Sequence, residues 1–302
     1  MAWKSQDEKT LQFKCEELEM SRKIMWNGKN YERLINFIGP KDNITALDIG
    51  CGTGYIIRQI GKHTKNSKLF GVDISDEFIE AAKSLSLSEK LDIKFIQDSV
   101  YTLPFPDEYF DLVTSQFVLL NLESPDDAID EVYRVLKHGG KFVCVETPSN
   151  TRLIYDSSVP GEIIELEHLI NKLITDKWGN KGVDKDIGLR IPELFKNHHF
   201  KQIDIEGYFN IKLGSYPYVL EGIKERALYM VKMLERQERR LSGLVEDGLL
   251  TEQQKEKYMG FYRKKRNDVY SDPSLAMDDM SIHGSLCLMT SGIKQVNNTG
   301  EL

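Results

Sequence analysis

The amino-acid sequence predicts an α/β fold in which helices cover both faces of a mostly parallel sheet. Between Thr45 and Thr147, short β-type runs alternate with helical stretches, which is the pattern of βαβ units. One of these runs, "FDLVTSQFVLLN", is almost entirely apolar at its centre, as expected for a strand that is buried on both faces. With 302 residues, the chain is long enough to bury a core of this kind.

The elements of this region follow one another in a regular order. We expect strands at "TALDIG", "KLFGVDI", "DIKFIQDS", "FDLVTSQFVLLN" and "KFVCVET". We expect helices at "YIIRQIGKH", "SDEFIEAAKSL" and "SPDDAIDEVYRVLKHGG". Ser75 is the predicted N-cap of the second helix. In the third helix, Ser124 is the predicted N-cap, Pro125 takes the first helical position, and Gly139 and Gly140 mark the end.

Two further strands and two helical regions complete the prediction. "PELFKNHHFKQIDIEGYF" predicts a helix that leads into a sixth strand, and "HGSLCLMTSGIK" predicts the seventh. Thr251 and Gln254 match a capping box. We therefore expect an N-terminal helical lid over residues 1–40 and a sheet domain over residues 41–302, with a helical insertion at about 218–275.

Composition excludes several classes of partner. The net charge is −7, which argues against nucleic acid and anionic membranes, since both are bound by clustered Lys and Arg. No apolar stretch approaches the roughly 18 residues of a membrane span, and the N-terminus lacks the apolar core of a signal peptide. We predict a cytoplasmic protein that acts on a small molecule; its oligomeric state stays open.

The cysteines predict neither disulfides nor a metal site. Cys15, Cys51, Cys144 and Cys287 are scattered, form no CxxC pair and have no closely spaced histidines beside them. No metal is therefore expected.

Three glycines stand where the first strand passes into its helix, in "ALDIGCGTGYII". Gly50, Gly52 and Gly54 would let a ligand come close to the backbone, and Asp73 follows near the offset at which a carboxylate binds ribose hydroxyls. A tight turn without a ligand is the alternative. The third glycine of a dinucleotide fingerprint would stand at Tyr55, so a nicotinamide oxidoreductase is disfavoured.

"LDIGCGTG" with "GVDIS", continued by "FIQDSVYTLPFPDEYFDLVTSQF", resembles the class I S-adenosylmethionine-dependent methyltransferases. The resemblance implies a Rossmann-like, seven-stranded sheet with an antiparallel last strand, S-adenosylmethionine as cofactor, and methyl transfer to an oxygen, nitrogen or carbon of a small molecule. The cofactor-binding residues that it implies are Asp48, Gly50, Cys51, Gly52, Gly54, Asp73, Ile74, Asp98, Ser99, Gln116 and Phe117.

The resemblance also implies a role for several of these residues. Asp73 would bind the ribose, Asp98 would accept from the adenine amino group, and Ser99 would lie beside the ring. Gln116 and Phe117 would face the methionine part. Many relatives carry Glu at the position of Asp73, but either carboxylate can accept both ribose hydroxyl bonds.

Methyl transfer needs little from catalytic side chains. Aligning the acceptor with the activated methyl group can contribute on the order of 7–11 kcal/mol without an acid or a base. If the acceptor must lose a proton, candidate bases are His168, His283 and Glu146, although a lone histidine is more often a surface or core residue. Because the chemistry needs no signature base, a non-catalytic cofactor-binding protein stays an alternative.

Aromatic residues are candidates for the acceptor pocket, since they favour apolar substrates and the cationic sulfur. The candidates are Trp26, Tyr31, Tyr155, Trp178 and Tyr208. Ordinary packing explains most aromatic residues equally well.

Overall fold

The computed structural model describes residues 8–26, 28–151, 153–155, 158–179, 181–213, 234–272 and 282–295. The chain forms two compact units. Among the described residues, the first unit contains those up to Pro148, those of Asp186–Tyr208, and those from Cys287 onward. The second unit contains those of Ser149–Lys185 and Phe209–Leu286.

Five adjacent strands of the sheet are parallel. The strands are β1 (Thr45–Ile49), β2 (Lys68–Asp73), β3 (Ile93–Gln97), β4 (Phe110–Gln116), β5 (Leu136–Glu146), β6 (Leu153–Tyr155), β7 (Lys201–Leu213) and β8 (Ile282–Ile293). Their order is β3-β2-β1-β4-β5-β8-β6, and β7 also pairs with β8. β1 to β5 pair in parallel, whereas β8 is antiparallel to β5. All seven predicted strands are present, and β6 is an additional short strand.

Helices alternate with these strands. They are α1 (Glu8–Met25), α2 (Gly28–Ile38), α3 (Tyr55–Lys62), α4 (Asp76–Ser88), α5 (Pro125–Val135), α6 (Gly161–Gly179), α7 (Ile191–Asn197), α8 (residues 234–246) and α9 (Glu252–Ser271). Ser75 caps α4 as predicted, because its hydroxyl accepts from the Phe78 N–H at 3.2 Å. Ser124 takes the N-cap position of α5, but its side chain makes no capping hydrogen bond.

Two predicted boundaries are wrong. β4 ends at Gln116, and the apolar residues Leu119–Asn121 form a 3₁₀ turn. Gly139 and Gly140 do not end α5: they lie within β5, at a register shift opposite β4. A Cβ at Gly140 would stand 2.8 Å from the Lys137 carbonyl oxygen, so the glycine allows the strand to bulge at this point.

Both faces of the sheet are covered, as the sequence predicts. On one face, apolar side chains from β1, β2 and β4 pack against α5 and α7. On the other face, α2, α3 and α4 pack against residues of the same strands and of β5. The alternation within one strand explains this division, since Leu47 belongs to the first cluster and Ala46 to the second.

The second unit has a helical core of its own. Apolar residues of α6, α8 and α9 pack together, with Ile170, Leu241 and Met259 fully buried. The predicted capping box opens α9: the Gln254 N–H donates to Thr251 Oγ1 at 3.1 Å, and the Thr251 N–H donates to Gln254 Oε1 at 3.0 Å. The rest of the predicted insertion, residues 218–233 and 273–275, lies outside the described residues.

No helix within the described ranges is both long and apolar enough to cross a membrane.

Candidate cofactor and acceptor site

The glycine loop connects β1 to α3 at the carboxyl edge of the sheet. Gly50, Gly52 and Gly54 have φ angles of 56°, 54° and 76°, in the left-handed region that glycine tolerates best. Each is also tightly packed: an added Cβ would stand 2.5 Å from Val118 Cγ2 at Gly50 and 2.7 Å from Leu18 Cδ2 at Gly52. The loop therefore requires glycine both for its conformation and for its close contacts.

Asp73 holds this loop in place. Its Oδ2 accepts from the Gly52 N–H at 2.8 Å, and its Oδ1 accepts from the Ser75 N–H at 3.0 Å. Burial raises the pKa of Asp73, and the two backbone N–H groups act in the opposite direction. The carboxylate is thus placed beside the loop at the end of β2, where the sequence analysis assigned a ribose ligand.

Asp48 lies beneath the loop and is buried. Thr114 donates its hydroxyl to Asp48 Oδ1 at 2.7 Å, which connects β1 to β4. Burial raises the pKa of Asp48 to about 7, against the lowering effects of this hydrogen bond and of the Arg22 charge. Cys51 is buried next to it, and burial raises the pKa of its thiol well above the ordinary value. A buried, protonated thiol indicates a packing role for Cys51.

The residues assigned to the adenine also meet at this edge. The Asp98 N–H donates to the Asp73 carbonyl at 3.0 Å, and Asp98 Oδ1 accepts from the Ser99 N–H at 2.7 Å. Ile74 is 73% exposed, an unusual position for a large apolar side chain. The edge thus presents an acid, a small hydroxyl residue and an apolar side chain close to Asp73.

Gln116 and Phe117 lie at the end of β4, where helix α1 packs against them. Gln116 Nε2 is 3.4 Å from Met25 Sδ, and the Arg22 guanidinium lies 4.6 Å from the centre of the Phe117 ring. Phe117 has a φ of 59°, a conformation that is uncommon for an aromatic residue. Helix α1 therefore covers the part of the edge assigned to the methionine portion of the cofactor.

An ion-pair network connects α1 to α3. Arg58 is buried, and its guanidinium pairs with Glu19 Oε2 at 2.6 Å and with Glu89. Thr53, in the glycine loop, donates its hydroxyl to Glu19 Oε2 at 3.0 Å. Leu18, Glu19 and Arg22 are not among the site residues predicted from the sequence. Arg22 follows Glu19 by three positions and Leu18 by four, and this spacing was the available signal that Arg22 shares a helix face with each of them.

Glu146 closes the other side of the site, at the end of β5. Its side chain is 1% exposed, and Oε1 accepts from the Leu119 N–H at 2.9 Å. Burial raises the pKa of Glu146 to about 8, although backbone N–H groups and the Arg22 charge oppose this shift. Of the three predicted bases, it is the one in the first unit.

The other two predicted bases belong to the second unit. His168 is exposed on α6. His283 lies in β8, where its backbone pairs with Ile154.

The aromatic candidates are divided among different places. Trp26 and Tyr208 are buried with ring centres 6.0 Å apart. Tyr31 donates its hydroxyl to Gln59 Oε1 at 3.1 Å, on α3. Trp178, in the second unit, is 39% exposed beneath lysine ammonium groups. Tyr155 belongs to β6 of the same unit.

All four cysteines are free. Among the residues that the structure describes, no group of three or more His, Cys, Asp or Glu side chains could hold a metal ion.

Comparison with known proteins agrees with this geometry. Residues 47–144, which contain the glycine loop and the acids after β2 and β3, match the family described as "Methyltransferase domain". Demethylmenaquinone methyltransferase of Lactococcus lactis is 35% identical over 43% of this chain and 51% of its own length. Ubiquinone/menaquinone biosynthesis C-methyltransferase UbiE of Stutzerimonas stutzeri is 30% identical over 47% of this chain and 57% of its own length. The chain therefore spans about half the length of these curated relatives.

A solved structure shows the same fold. The YcgJ protein of Bacillus subtilis has a TM-score of 0.53 to this chain at 18% sequence identity, and the superposition covers 87% of this chain and 97% of that one. The fold is therefore an α/β domain like that of YcgJ. Over residues 47–144 the chain is similar to methyltransferases.

Proposed function

We propose that the protein transfers the methyl group of S-adenosylmethionine to a small-molecule acceptor. The observation that carries this proposal is the carboxyl edge of β1 and β2. There, three glycines of one loop have left-handed φ angles, and Asp73, the proposed ribose ligand, holds the loop at Gly52. The residues fit the cofactor, because glycines allow the close approach of an adenosine and the acids follow successive strands. No phosphate cradle is required.

The chain's residues have separate tasks in this proposal. Asp73 holds the ribose hydroxyls, Asp98 accepts from the adenine amino group, and the exposed Ile74 side chain packs against the adenine ring. Helix α1 excludes water from the edge, and Gln116 and Phe117 face the methionine portion. Bound S-adenosylmethionine supplies a methyl group that its sulfonium already activates, so positioning supplies most of the remaining rate.

The two alternative functions make different demands on the same loop. A dinucleotide would need close approach at Tyr55, but Tyr55 is a buried residue at the start of α3 and its side chain fills that space. A non-catalytic binding protein would bind S-adenosylmethionine at this loop in the same way, but would transfer no methyl group.

Calorimetry and a turnover assay test the proposal. S-adenosylhomocysteine should bind saturably and NAD should not. Incubation with S-adenosylmethionine and a metabolite mixture should produce compounds heavier by one methyl group. Binding of NAD without binding of S-adenosylhomocysteine would overturn the proposal, and binding without turnover would favour the non-catalytic alternative.

We do not transfer the substrates of the relatives to this protein. The curated relatives are named for quinone methylation, but the similarity covers less than half of this chain. We also propose, from the sequence, that the protein acts in the cytoplasm.

A further inference from the structure

A buried carboxyl group lies at the end of β5, beside the end of β4. The Glu146 side chain is 1% exposed, and among the described residues its Oε2 has no hydrogen-bond partner. Burying a carboxyl group costs free energy, and the cost is largest where one of its oxygens stays unpaired. An apolar side chain of similar size would fill the same space without this cost. A task in positioning other groups therefore explains this carboxyl group better than stability does.

The other oxygen of Glu146 holds the turn that follows β4. Glu146 Oε1 accepts from the Leu119 N–H at 2.9 Å, where the 3₁₀ turn Leu119–Asn121 begins. Burial raises the pKa of Glu146 to about 8, and the backbone N–H groups of residues 118–120 act in the opposite direction. Three successive N–H groups thus interact with one carboxyl group, as they do at the capped N-terminus of a helix.

The turn held by Glu146 packs against the glycine loop. An added Cβ at Gly50 would stand 2.5 Å from Val118 Cγ2 and 2.9 Å from Val118 Cγ1. The Val118 side chain therefore lies directly on the Gly50 backbone, and Val118 is the residue before Leu119. Any shift of the turn would change this contact. Glu146 is thus connected to the glycine loop through two adjacent residues of the turn.

The residue before Val118 has an unfavourable backbone conformation. Phe117 has a φ of 59°, and a non-glycine residue keeps such a conformation only where its surroundings hold it. The Phe117 N–H donates to the Val145 carbonyl at 2.9 Å, and the Phe117 carbonyl accepts from Asn121 Nδ2 at 2.8 Å. The bond from Glu146 fixes the chain two residues further on. Phe117 is therefore held from both sides.

The Glu146 side chain is itself enclosed. A Cβ at Gly188 would stand 3.0 Å from the Glu146 Cβ and 3.3 Å from Pro148 Cγ. The backbone of the 3₁₀ turn Ile187–Leu189 therefore closes over the Glu146 side chain, and only a residue without a Cβ allows this approach. Close packing of this kind fixes the direction in which the carboxyl group points.

We propose that Glu146 is a positioning residue for the cofactor: its carboxyl group holds the turn after β4, so that Phe117 and Val118 keep the arrangement that S-adenosylmethionine requires. Without it, the free protein would populate other arrangements of the turn, and binding would have to select the ordered one at a cost in affinity. In this role Glu146 acts through the Leu119 N–H and takes no proton from the acceptor. The inference rests on the proposed methyl transfer, because it concerns the cofactor of that reaction.

Titration calorimetry with S-adenosylhomocysteine tests the proposal on the full chain, at a temperature where urea unfolding shows each variant to be folded. Glu146→Leu removes the accepting oxygen and should weaken binding roughly tenfold, the equivalent of one hydrogen bond to a charged group. Glu146→Gln keeps an oxygen that can accept from the Leu119 N–H, and should restore most of the affinity. Glu193→Leu, at an exposed position on α7, should bind like the parent. A purely structural role would lower the free energy of unfolding and leave the affinity of the folded protein unchanged.

A double-mutant cycle tests whether Glu146 acts through Val118. Val118→Ala shortens the side chain that lies on Gly50 but leaves the Leu119 N–H in place. When Val118→Ala is combined with Glu146→Leu, the two losses of affinity should not add, because both substitutions release the same contact with the loop. Additive losses would overturn the connection through Val118.

Amide hydrogen exchange of the parent without ligand tests the contact itself and needs no variant. The Leu119 amide should exchange as slowly as the amides of β5, because Glu146 Oε1 accepts from it. Exchange at the rate of the exposed residue Glu123 would overturn the proposal.

The outcomes separate the two proposals. If S-adenosylhomocysteine does not bind to the parent, the proposed function fails, and the positioning role fails with it. If it binds equally well to the parent and to Glu146→Leu, only the positioning role fails. The same holds if Glu146→Gln binds as weakly as Glu146→Leu, since the accepting oxygen would then not be the group that matters.

Discussion

The Leu18 side chain lies directly against Gly52, so that a Cβ on Gly52 would stand 2.7 Å from Leu18 Cδ2. The contact joins helix α1 to the glycine loop, and Glu19, the next residue, binds Thr53 and Arg58. The helix predicted as a lid is therefore in contact with the loop predicted to bind the cofactor. Substitutions in helix α1 or in the glycine loop should therefore affect both elements.

Gly52→Ala should destabilise the first unit and weaken cofactor binding. A non-glycine residue at a φ of 54° costs roughly 1–2 kcal/mol, and the new methyl group would also collide with Leu18. We expect a loss of this size in urea unfolding and weaker binding of S-adenosylhomocysteine. Gly260→Ala is the matched control, because nothing lies within 4 Å of its Cβ position in α9. Equal stability of Gly52→Ala and the parent would contradict the structure.

Asp73→Ala should lower the affinity for S-adenosylhomocysteine at least tenfold. The variant loses the proposed ribose contacts, at roughly 1.5–3 kcal/mol for a hydrogen bond to a charged group, and also the bonds that hold Gly52 and Ser75. Asp73→Asn keeps one accepting oxygen and should lose less. Asp76→Asn, at an exposed position in α4, should bind like the parent. If Asp73→Ala also bound like the parent, the ribose would have to lie elsewhere.

The proposed cofactor site at the carboxyl edge of the sheet could be predicted from the sequence because each of its features lies within a short stretch of the chain. Glycine spacing, the acid after β2 and the acid after β3 each lie within a short stretch, and strand alternation places them at one edge. The contacts of α1 could not be predicted, since the Glu19–Arg58 pair joins residues 39 positions apart and depends on how the helix docks. The Gly139–Gly140 pair was misread for another reason: the same residues can end a helix or form a bulge, and only pairing with β4 decides.

His198 should make the stability of the first unit depend on pH. It lies between two carboxylates of α5, with Nδ1 2.5 Å from Asp130 and Nε2 2.8 Å from Asp126. Burial lowers the pKa of His198, but the two carboxylate hydrogen bonds outweigh it and the pKa is raised. The stabilisation is therefore complete below the unfolded value of about 6.5 and disappears as the pH rises through the folded pKa.

Thermal unfolding of the parent and of His198→Asn checks this dependence. The two proteins should differ more at pH about 5.5 than at pH about 8.5, by at most about 1 kcal/mol, because the carboxylates are exposed and water screens them. Asp127→Asn removes a similar charge from α5 and should show no such change between the two pH values. A constant difference would mean that His198 contributes through packing alone.

Glu19→Gln should loosen helix α1. The change removes the negative charge that faces buried Arg58 while keeping a group that can bind Thr53, and Glu89 remains as the second partner of Arg58. We expect a loss of roughly 1.5–3 kcal/mol, the range for hydrogen bonds to charged groups, and the resulting local opening should appear as faster proteolysis within α1. Lys23→Gln is the control, since Lys23 is exposed and 3.9 Å from Glu19. Similar cleavage of the two variants would show that the Arg58 pair does not hold the helix.

Removing residues 1–28 should abolish methyl transfer while leaving much of the cofactor affinity. The deletion removes Leu18, Glu19 and Arg22, and thus the cover of the glycine loop. It also removes Trp26, a predicted residue of the acceptor pocket. Asp73, Asp98 and Ile74, which are proposed to bind the adenosine, all remain. Lids of this kind exclude water and complete the site. Protease protection of α1 should accordingly rise when S-adenosylhomocysteine is added to the full chain. A truncated protein that methylated its acceptor at the parental rate would show that α1 is not a lid and that acceptor selectivity comes from later segments.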